Sequence, residues 1–331
     1  MRVYAGIDEA GYGPLFGPLV VGATAWHVPE GWAPTDGAGG VDWWARWSDA
    51  VSPTLGERRG RVPVGDSKKL HTPASGPRHL EPACLGLLQW MGVACGDLGQ
   101  WLDGLGVEAH RRDEVPAWYA ATAERPWQAL GAFHTPGEQT IATGAIRRAG
   151  RREGVTPALA AAAVLFEPTF NERVAATRSK ASVAFTCVAG HLRRLWDEHG
   201  ESGVLAAVDR QSGRTHYREP LAQNFPEASM RVLAEGPERS AYELRGPGGR
   251  RMEVSFEVEA ESRHLPVAWA SMVCKYTREM LMARFQGWFS QRLPEVKPTA
   301  GYGTDGVRFW KELRPRLKSL GLAESQVKRM A

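Results

Sequence analysis

Short apolar runs that end in acidic residues recur along the chain. Residues 2–8 (RVYAGID) form such a run and read as a buried strand rather than a helix. A Gly- and Pro-rich turn follows, then LVVGATAW (19–26), rich in residues that favour strands. AAAVLFE (161–167) and VLAAVD (204–209) are further strand-like runs. On 241–259 the pattern is that of a hairpin: AYELR, a GPGG turn, then RRMEVSFEVE. In its second arm Met252, Val254, Phe256 and Val258 alternate with Glu253, Ser255, Glu257 and Glu259, the period of a strand with one buried face. Helical spacing appears twice. Val183, Val188, Leu192, Leu195 and Trp196 mark a helix over 180–200 with Gly200 as its C-cap, and Pro266 suits the first turn of a long helix over 267–285. GYGTDG (301–306) reads as a turn and the residues beyond it as helical and basic. Strands alternating with helices predict an α/β or mixed α+β fold.

Composition narrows the class. The 331 residues are 43% hydrophobic and 24% charged, which excludes wholesale disorder and fibrous repeats. Four cysteines (84, 95, 187, 274) show no metal-ligand spacing and read as reduced thiols of a cytoplasmic protein. The acid pair Asp8-Glu9 interrupts the first apolar run, so it is not a signal peptide, and no run is long enough to span a membrane. Formal net charge is +4, and the residues from Pro298 onward carry seven basic against three acidic side chains, a surplus as large as the whole. That stretch reads either as a footprint for a polyanion or as a solvated helix face. Arg outnumbers Lys, which suits phosphate contacts, although a high-GC genome produces the same bias.

The acids at strand ends carry the candidate chemistry. Asp8 and Glu9 close the first strand, Asp209 closes another, and Glu261 lies just past the hairpin. Carboxylates converging on one cleft repel one another and need a hard cation, Mg²⁺ or Mn²⁺. A pair of such ions supports phosphodiester hydrolysis. Spacing alone does not distinguish convergence from solvated single acids.

The text around these acids resembles the type 2 ribonuclease H family, ribonucleases HII and HIII. GIDEAGYGPLFGPLVVGA (6–23) is similar to its opening motif, VGDSKKL (64–70) to its D-S-K-x-L motif, and VLAAVD (204–209) to the strand of its third acid. EAESRHLPVAWASMVCKYTRE (259–279) is similar to its fourth-acid segment and following helix, and GYGT (301–304) to its late Gly-Tyr turn. The resemblance implies a ribonuclease H-like fold, a central mixed β-sheet flanked by helices, over 1–310, with insertions at about 27–63, 80–150 and 210–250 and a basic helical tail at 311–331. It implies an endonuclease that cuts the RNA strand of RNA–DNA hybrids, or ribonucleotides embedded in DNA, to 5′-phosphate products. Asp8, Glu9, Asp209 and Glu261 become catalytic ligands of two divalent ions, Mg²⁺ or Mn²⁺, with Glu279 as the alternative fourth acid. A Glu in the fourth place is as in ribonuclease HIII; ribonuclease HII has Asp. Gly11, Tyr12, Gly13, Ser67, Lys68, Lys275 and Tyr302 become substrate-binding residues, and Tyr12 stands where the family has a basic residue. Tyr12 therefore leaves open another structured nucleic acid as substrate, and a non-catalytic nucleic-acid-binding protein on the same fold is the remaining alternative. The expected partner is nucleic acid, not membrane, and the expected state a monomer. His264 reads as a satisfied structural histidine or a proton shuttle, and the 13 Trp as packing or as base-stacking platforms.

Overall fold

A computed structural model describes all residues except 33–40, 57–59, 73, 108–114, 211–213 and 331. The chain opens with β1 (Arg2–Ala10) and β2 (Leu19–Val28), then α1 (Trp43–Arg46), the short β3 (Val51–Ser52) and β4 (Val62–Pro63), and α2 (Ser67–Leu70). Three helices follow, α3 (Glu81–Trp90), α4 (Leu98–Gly104) and α5 (Pro136–Arg152). Next come β5 (Thr156–Leu165), α6 (Glu167–Thr177), α7 (Lys180–His199), β6 (Val204–Asp209) and α8 (Arg218–Asn224). The last part holds β7 (Ser229–Glu235), β8 (Arg239–Arg245), β9 (Arg251–Glu257), α9 (Leu265–Arg292), α10 (Gly303–Leu313) and α11 (Glu324–Val327).

Seven strands form one mixed sheet in the order β5-β2-β1-β6-β9-β8-β7. β1, β6 and β9 run parallel at its centre, and the remaining pairings are antiparallel. This is the central mixed sheet flanked by helices that the sequence predicts. Both faces are covered, which explains why β1 and β6 are continuous apolar runs instead of alternating ones. Val3, Ala5, Ile7, Ala206, Val208, Val254 and Phe256 pack with α6, α7 and α8 on one face. Tyr4, Trp26, Leu205 and Ala207 pack with α3 and α9 on the other. Gly6 is what lets α9 lie against β1: a Cβ there would sit 2.1 Å from the Val267 nitrogen.

The helix over 180–200 and the hairpin form where the periodicity places them. β9 ends at Glu257, so Val258, which the alternation assigns to the buried face, is 36% exposed. The turn at 301–306 is shorter than expected, because α10 begins at Gly303 with Tyr302 as its N-cap residue. The described residues of the 311–331 tail do not form one basic helix: two 3₁₀ turns and α11 follow α10. Two of their cations form ion pairs, Arg314 with Glu324 at 2.7 Å and Arg316 with Glu295 at 2.8 Å.

The segments 27–63 and 80–150 join the main core through their aromatic side chains. Trp32, Trp43, Trp47, Trp101 and Trp118 are all buried, so these indoles pack and do not present stacking platforms. Among the described residues no helix is long and apolar enough to cross a membrane.

Candidate active site

The parallel register pairs Ile7 with Val208, so Asp8 and Asp209 leave adjacent strand ends on the same side of the sheet. Asp209 pairs in turn with Glu257 at the end of β9. The chain then turns sharply at Glu259, which takes the left-handed conformation (φ 51°), into a 3₁₀ turn over Ala260–Ser262. That turn brings Glu261 back to Asp209, whose Oδ1 accepts from the Ala260 N–H at 3.0 Å.

The four sequence-predicted acids thus share one electrostatic site. Asp8 is buried, and burial, with Asp209 and Glu9 beside it, pushes its carboxyl well above the usual range. The Ser271 hydroxyl and the Glu9 N–H, 2.6 Å from Oδ1, offset part of that shift. Asp209 is pushed up to about 7 by burial and by Glu261, against the pull of the Ala260 N–H and Lys68. Glu9, the next residue of β1, is half-buried and adds to the field on Asp8. Lys68 is exposed; burial of part of its stem lowers its pKa, but Asp8, Glu261, Asp209 and Asp66 together raise it.

The donor chemistry fits a hard divalent ion. The candidate donor atoms are all carboxylate oxygens, and Glu261 Oε2 is buried without a hydrogen-bond partner, a desolvated acceptor that a cation would satisfy. Among the described residues, no three His, Cys, Asp or Glu side chains stand close enough to hold an ion as they lie. The acids are within electrostatic reach of one another without forming a closed cage.

Glu279 is placed differently. Lys275 at 2.8 Å, His71 at 3.5 Å and Arg278 at 3.7 Å surround its carboxylate. Burial alone would raise it, but His71 and Lys275 hold it down at about 2. Its charge is already compensated, and the Lys275 ammonium is committed to it.

Sequence reasoning missed the group that supports Asp8. Ser271 on α9 bonds the Asp8 carboxylate, and its Oγ lies 2.9 Å from that of Ser67 at the start of α2. Ser67 is buried, so it acts in the support of Asp8 through Ser271 while its neighbour Lys68 lies in the field of the acids. The Ala-Ser step at 270–271 was the available signal, and only the packing of α9 on β1 gives it a partner.

Gly11 takes φ 87°, and a Cβ there would meet the Pro18 carbonyl oxygen at 2.4 Å, so only glycine fits; around Gly13 the space is open. Tyr12 packs partly against the core beneath the α6–α7 face. Arg278, fully buried, donates to the Phe16 carbonyl at 3.0 Å and lies 4.8 Å from the centroid of the exposed Tyr302 ring. Arg278 is buried inside this loop support, so it faces neither a substrate phosphate nor solvent.

His264, at the N-cap of α9, is bonded through Nδ1 to the Tyr4 hydroxyl and through Nε2 to Glu257 at 3.1 Å, a structural role. Burial would raise Glu257, but His264, Ser255 and Arg263 bring it down to about 2. A depressed folded-state pKa stabilises the fold above the unfolded value of about 4.3, and that gain is lost as pH falls toward 2. In urea titrations Glu257→Gln is therefore destabilised relative to wild type at pH 7 by on the order of 3 kcal/mol. The gap narrows between pH about 4.5 and 2; a gap constant over that range overturns the assignment.

No protein-family profile matches the chain, and no curated protein matches it. Among solved structures, the chain is similar to ribonuclease HII in its complex with PCNA from Archaeoglobus fulgidus, at 17% identity and a TM-score of 0.41, over 99% of this chain and 94% of that one. It is similar to ribonuclease H2 of Pyrococcus horikoshii OT3 at 14% identity and a TM-score of 0.38, over 98% and 92%. A third is Bst ribonuclease HIII in complex with Mn²⁺, at 14% identity and a TM-score of 0.37, over 99% and 66%.

Proposed function

We propose that the chain is a divalent-metal-dependent endonuclease that hydrolyses the RNA strand of RNA–DNA hybrids, or ribonucleotides embedded in DNA. The observation that carries this reading is the placement of Asp8 and Asp209 on adjacent strand ends, with Glu261 returned to Asp209 by the 3₁₀ turn and Lys68 in the field of all three. These are residues that the sequence motifs single out independently. Crowded carboxylates with raised pKa values are costly to the fold and are explained by a cation they serve.

Asp8, Glu9, Asp209 and Glu261 would hold the ions. Bound there, Mg²⁺ or Mn²⁺ supplies activation of a water and charge stabilisation of the leaving oxygen. The protein's own groups do the rest. Ser271 fixes the rotamer of Asp8, and the Ala260 N–H fixes that of Asp209. Lys68 meets the phosphate of the substrate strand and offsets the acid field that would repel it. The Gly11–Tyr12–Gly13 turn and Tyr302 receive the sugar–phosphate backbone, and the 2′-hydroxyl separates RNA from DNA there. The water oxygen bonds to phosphorus, the bond to the 3′-oxygen breaks, and a 5′-phosphate and a 3′-hydroxyl result.

The test is cleavage of labelled duplexes by purified protein with Mg²⁺ or Mn²⁺. The panel holds an RNA–DNA hybrid, DNA with one embedded ribonucleotide, double-stranded DNA and double-stranded RNA. Cutting of the first two, lost on metal chelation, is the expected outcome. Cutting confined to DNA or to double-stranded RNA replaces the substrate, in line with Tyr12 standing where a basic residue is expected. Binding of the hybrid with no cutting under any metal leaves a binding protein and overturns the enzyme.

A further inference from the structure

Arg329 is separated from the opening turn by almost the whole chain, yet it is buried directly beneath it, 1% exposed. Its guanidinium donates through Nη1 to the Gly11 carbonyl and through Nη2 to the Tyr12 carbonyl, the latter at 3.1 Å. Its own N–H donates to the Leu15 carbonyl at 2.8 Å, so three carbonyls of one loop converge on one residue. The group is fixed from below as well: it lies 3.7 Å from the centroid of the Phe170 ring on α6. Asn171, the next residue of α6, clamps the same segment. Its Nδ2 donates to the carbonyls of Ser325 at 2.7 Å and Lys328 at 2.8 Å, and its Oδ1 accepts from the Met330 N–H at 2.6 Å. Burial and the neighbouring Arg278 lower the Arg329 pKa to about 10, which leaves it charged at neutral pH.

In a trans peptide the C=O and the following N–H point in opposite directions. A cation that draws the carbonyls of Gly11 and Tyr12 inward therefore turns the N–H groups of Tyr12 and Gly13 away from the core. Two successive outward N–H groups make a concavity that favours anionic oxygen. The open space around Gly13 leaves room for a substrate strand to approach that side.

We propose that Arg329 is the positioning residue of the Gly11–Tyr12–Gly13 turn, orienting its main-chain N–H groups toward the sugar–phosphate backbone of the bound strand. The inference rests on the nucleic-acid reading of the site, though not on catalysis. It assigns the cationic support of this turn to a buried guanidinium acting through the backbone, in a chain whose turn carries Tyr12 instead of a basic side chain. A lysine in its place offers one point charge in place of a planar fork and does not serve both carbonyls equally.

The experiment separates this from the nuclease reading by measuring affinity without turnover. Hybrid duplex binding is titrated in an Asp8→Asn background, with and without Arg329→Met or Arg329→Lys, and hydrogen exchange is followed in the peptide spanning 10–18. Arg329→Met is expected to weaken hybrid binding about tenfold and to speed exchange in that peptide alone, with Arg329→Lys about threefold weaker. In the Asp8-intact protein the same changes raise KM while kcat stays within about threefold. Unaltered hybrid affinity in a folded Arg329→Met protein overturns the proposal; should that variant not fold, unaltered affinity in Arg329→Lys does so. A wild type that cuts nothing, with the affinity loss still present, removes the nuclease reading and leaves Arg329 in its role.

Discussion

Asp8→Asn is expected to abolish hybrid cleavage, by at least about 10³-fold in kcat, and at the same time to stabilise the fold by about 1–2 kcal/mol. The two effects have one cause. Asp8 is buried against Asp209 and Glu9, and its carboxyl is pushed well up by burial and by their charges. A folded-state pKa above the unfolded one costs stability once pH exceeds about 4, because the folded chain resists the ionisation that the unfolded chain undergoes freely. The neutral amide removes that cost and keeps the shape. It also deletes a charged oxygen from the donor set. Urea titration at pH 7 without divalent ions reads the stability, and the duplex assay reads the activity. Mn²⁺ supplies a third readout, since an ion that binds only the folded state stabilises it by mass action. Wild type gains stability on Mn²⁺ addition and Asp8→Asn gains far less. Retained cleavage in Asp8→Asn would falsify the metal reading outright, and a loss of stability there would show that its hydrogen bonds to Ser271 and the Glu9 N–H outweigh the repulsion.

β1 and β6, which carry Asp8 and Asp209, were legible because they are buried on both faces, and an apolar run ending in an acid is readable without knowing what covers it; β9 was legible from its alternation. β1, β6 and α7 form where the residues place them; β9 stops two residues short of its alternation, and α9 runs on past 285 to Arg292. The helices α3, α4 and α5 were not legible. α3 is apolar nearly all round, with Glu81 through Leu88 buried, so it carries no stripe for periodicity to find. In the candidate site, the four acids and Lys68 were named from motifs, and what the residues could not tell was their support. Ser271, the 3₁₀ turn that returns Glu261 to Asp209, and Arg329 beneath Gly11 each depend on contacts between segments far apart in sequence. Arg329 illustrates the limit: in sequence it is one more cation of a basic stretch, and its burial reverses that meaning.

Trp47→Ala is expected to cost about 3–5 kcal/mol, as large as any single substitution away from the site. Trp47 is fully buried, with ring centroids of Trp26 at 5.8 Å, Trp43 and Trp269 at 6.1 Å and Trp90 at 6.3 Å. These neighbours belong to β2, α1, α9 and α3, so one indole joins the 27–63 segment to the sheet and to both helices over it. Its Nε1 has no hydrogen-bond partner, which leaves packing as its contribution and makes Trp47→Phe a milder change, about 1–3 kcal/mol. Hybrid affinity per folded molecule stays unchanged in both variants, because the ring does not reach solvent. A stable Trp47→Ala protein with weakened nucleic-acid binding would return the indoles to a stacking role. The cluster also bears on the site. Trp269 precedes Ser271 on α9 by two residues, and Ser271 holds Asp8. Loosening the indole packing frees the helix segment that fixes the carboxylate, so cleavage by Trp47→Ala falls with rising temperature before the sheet itself unfolds.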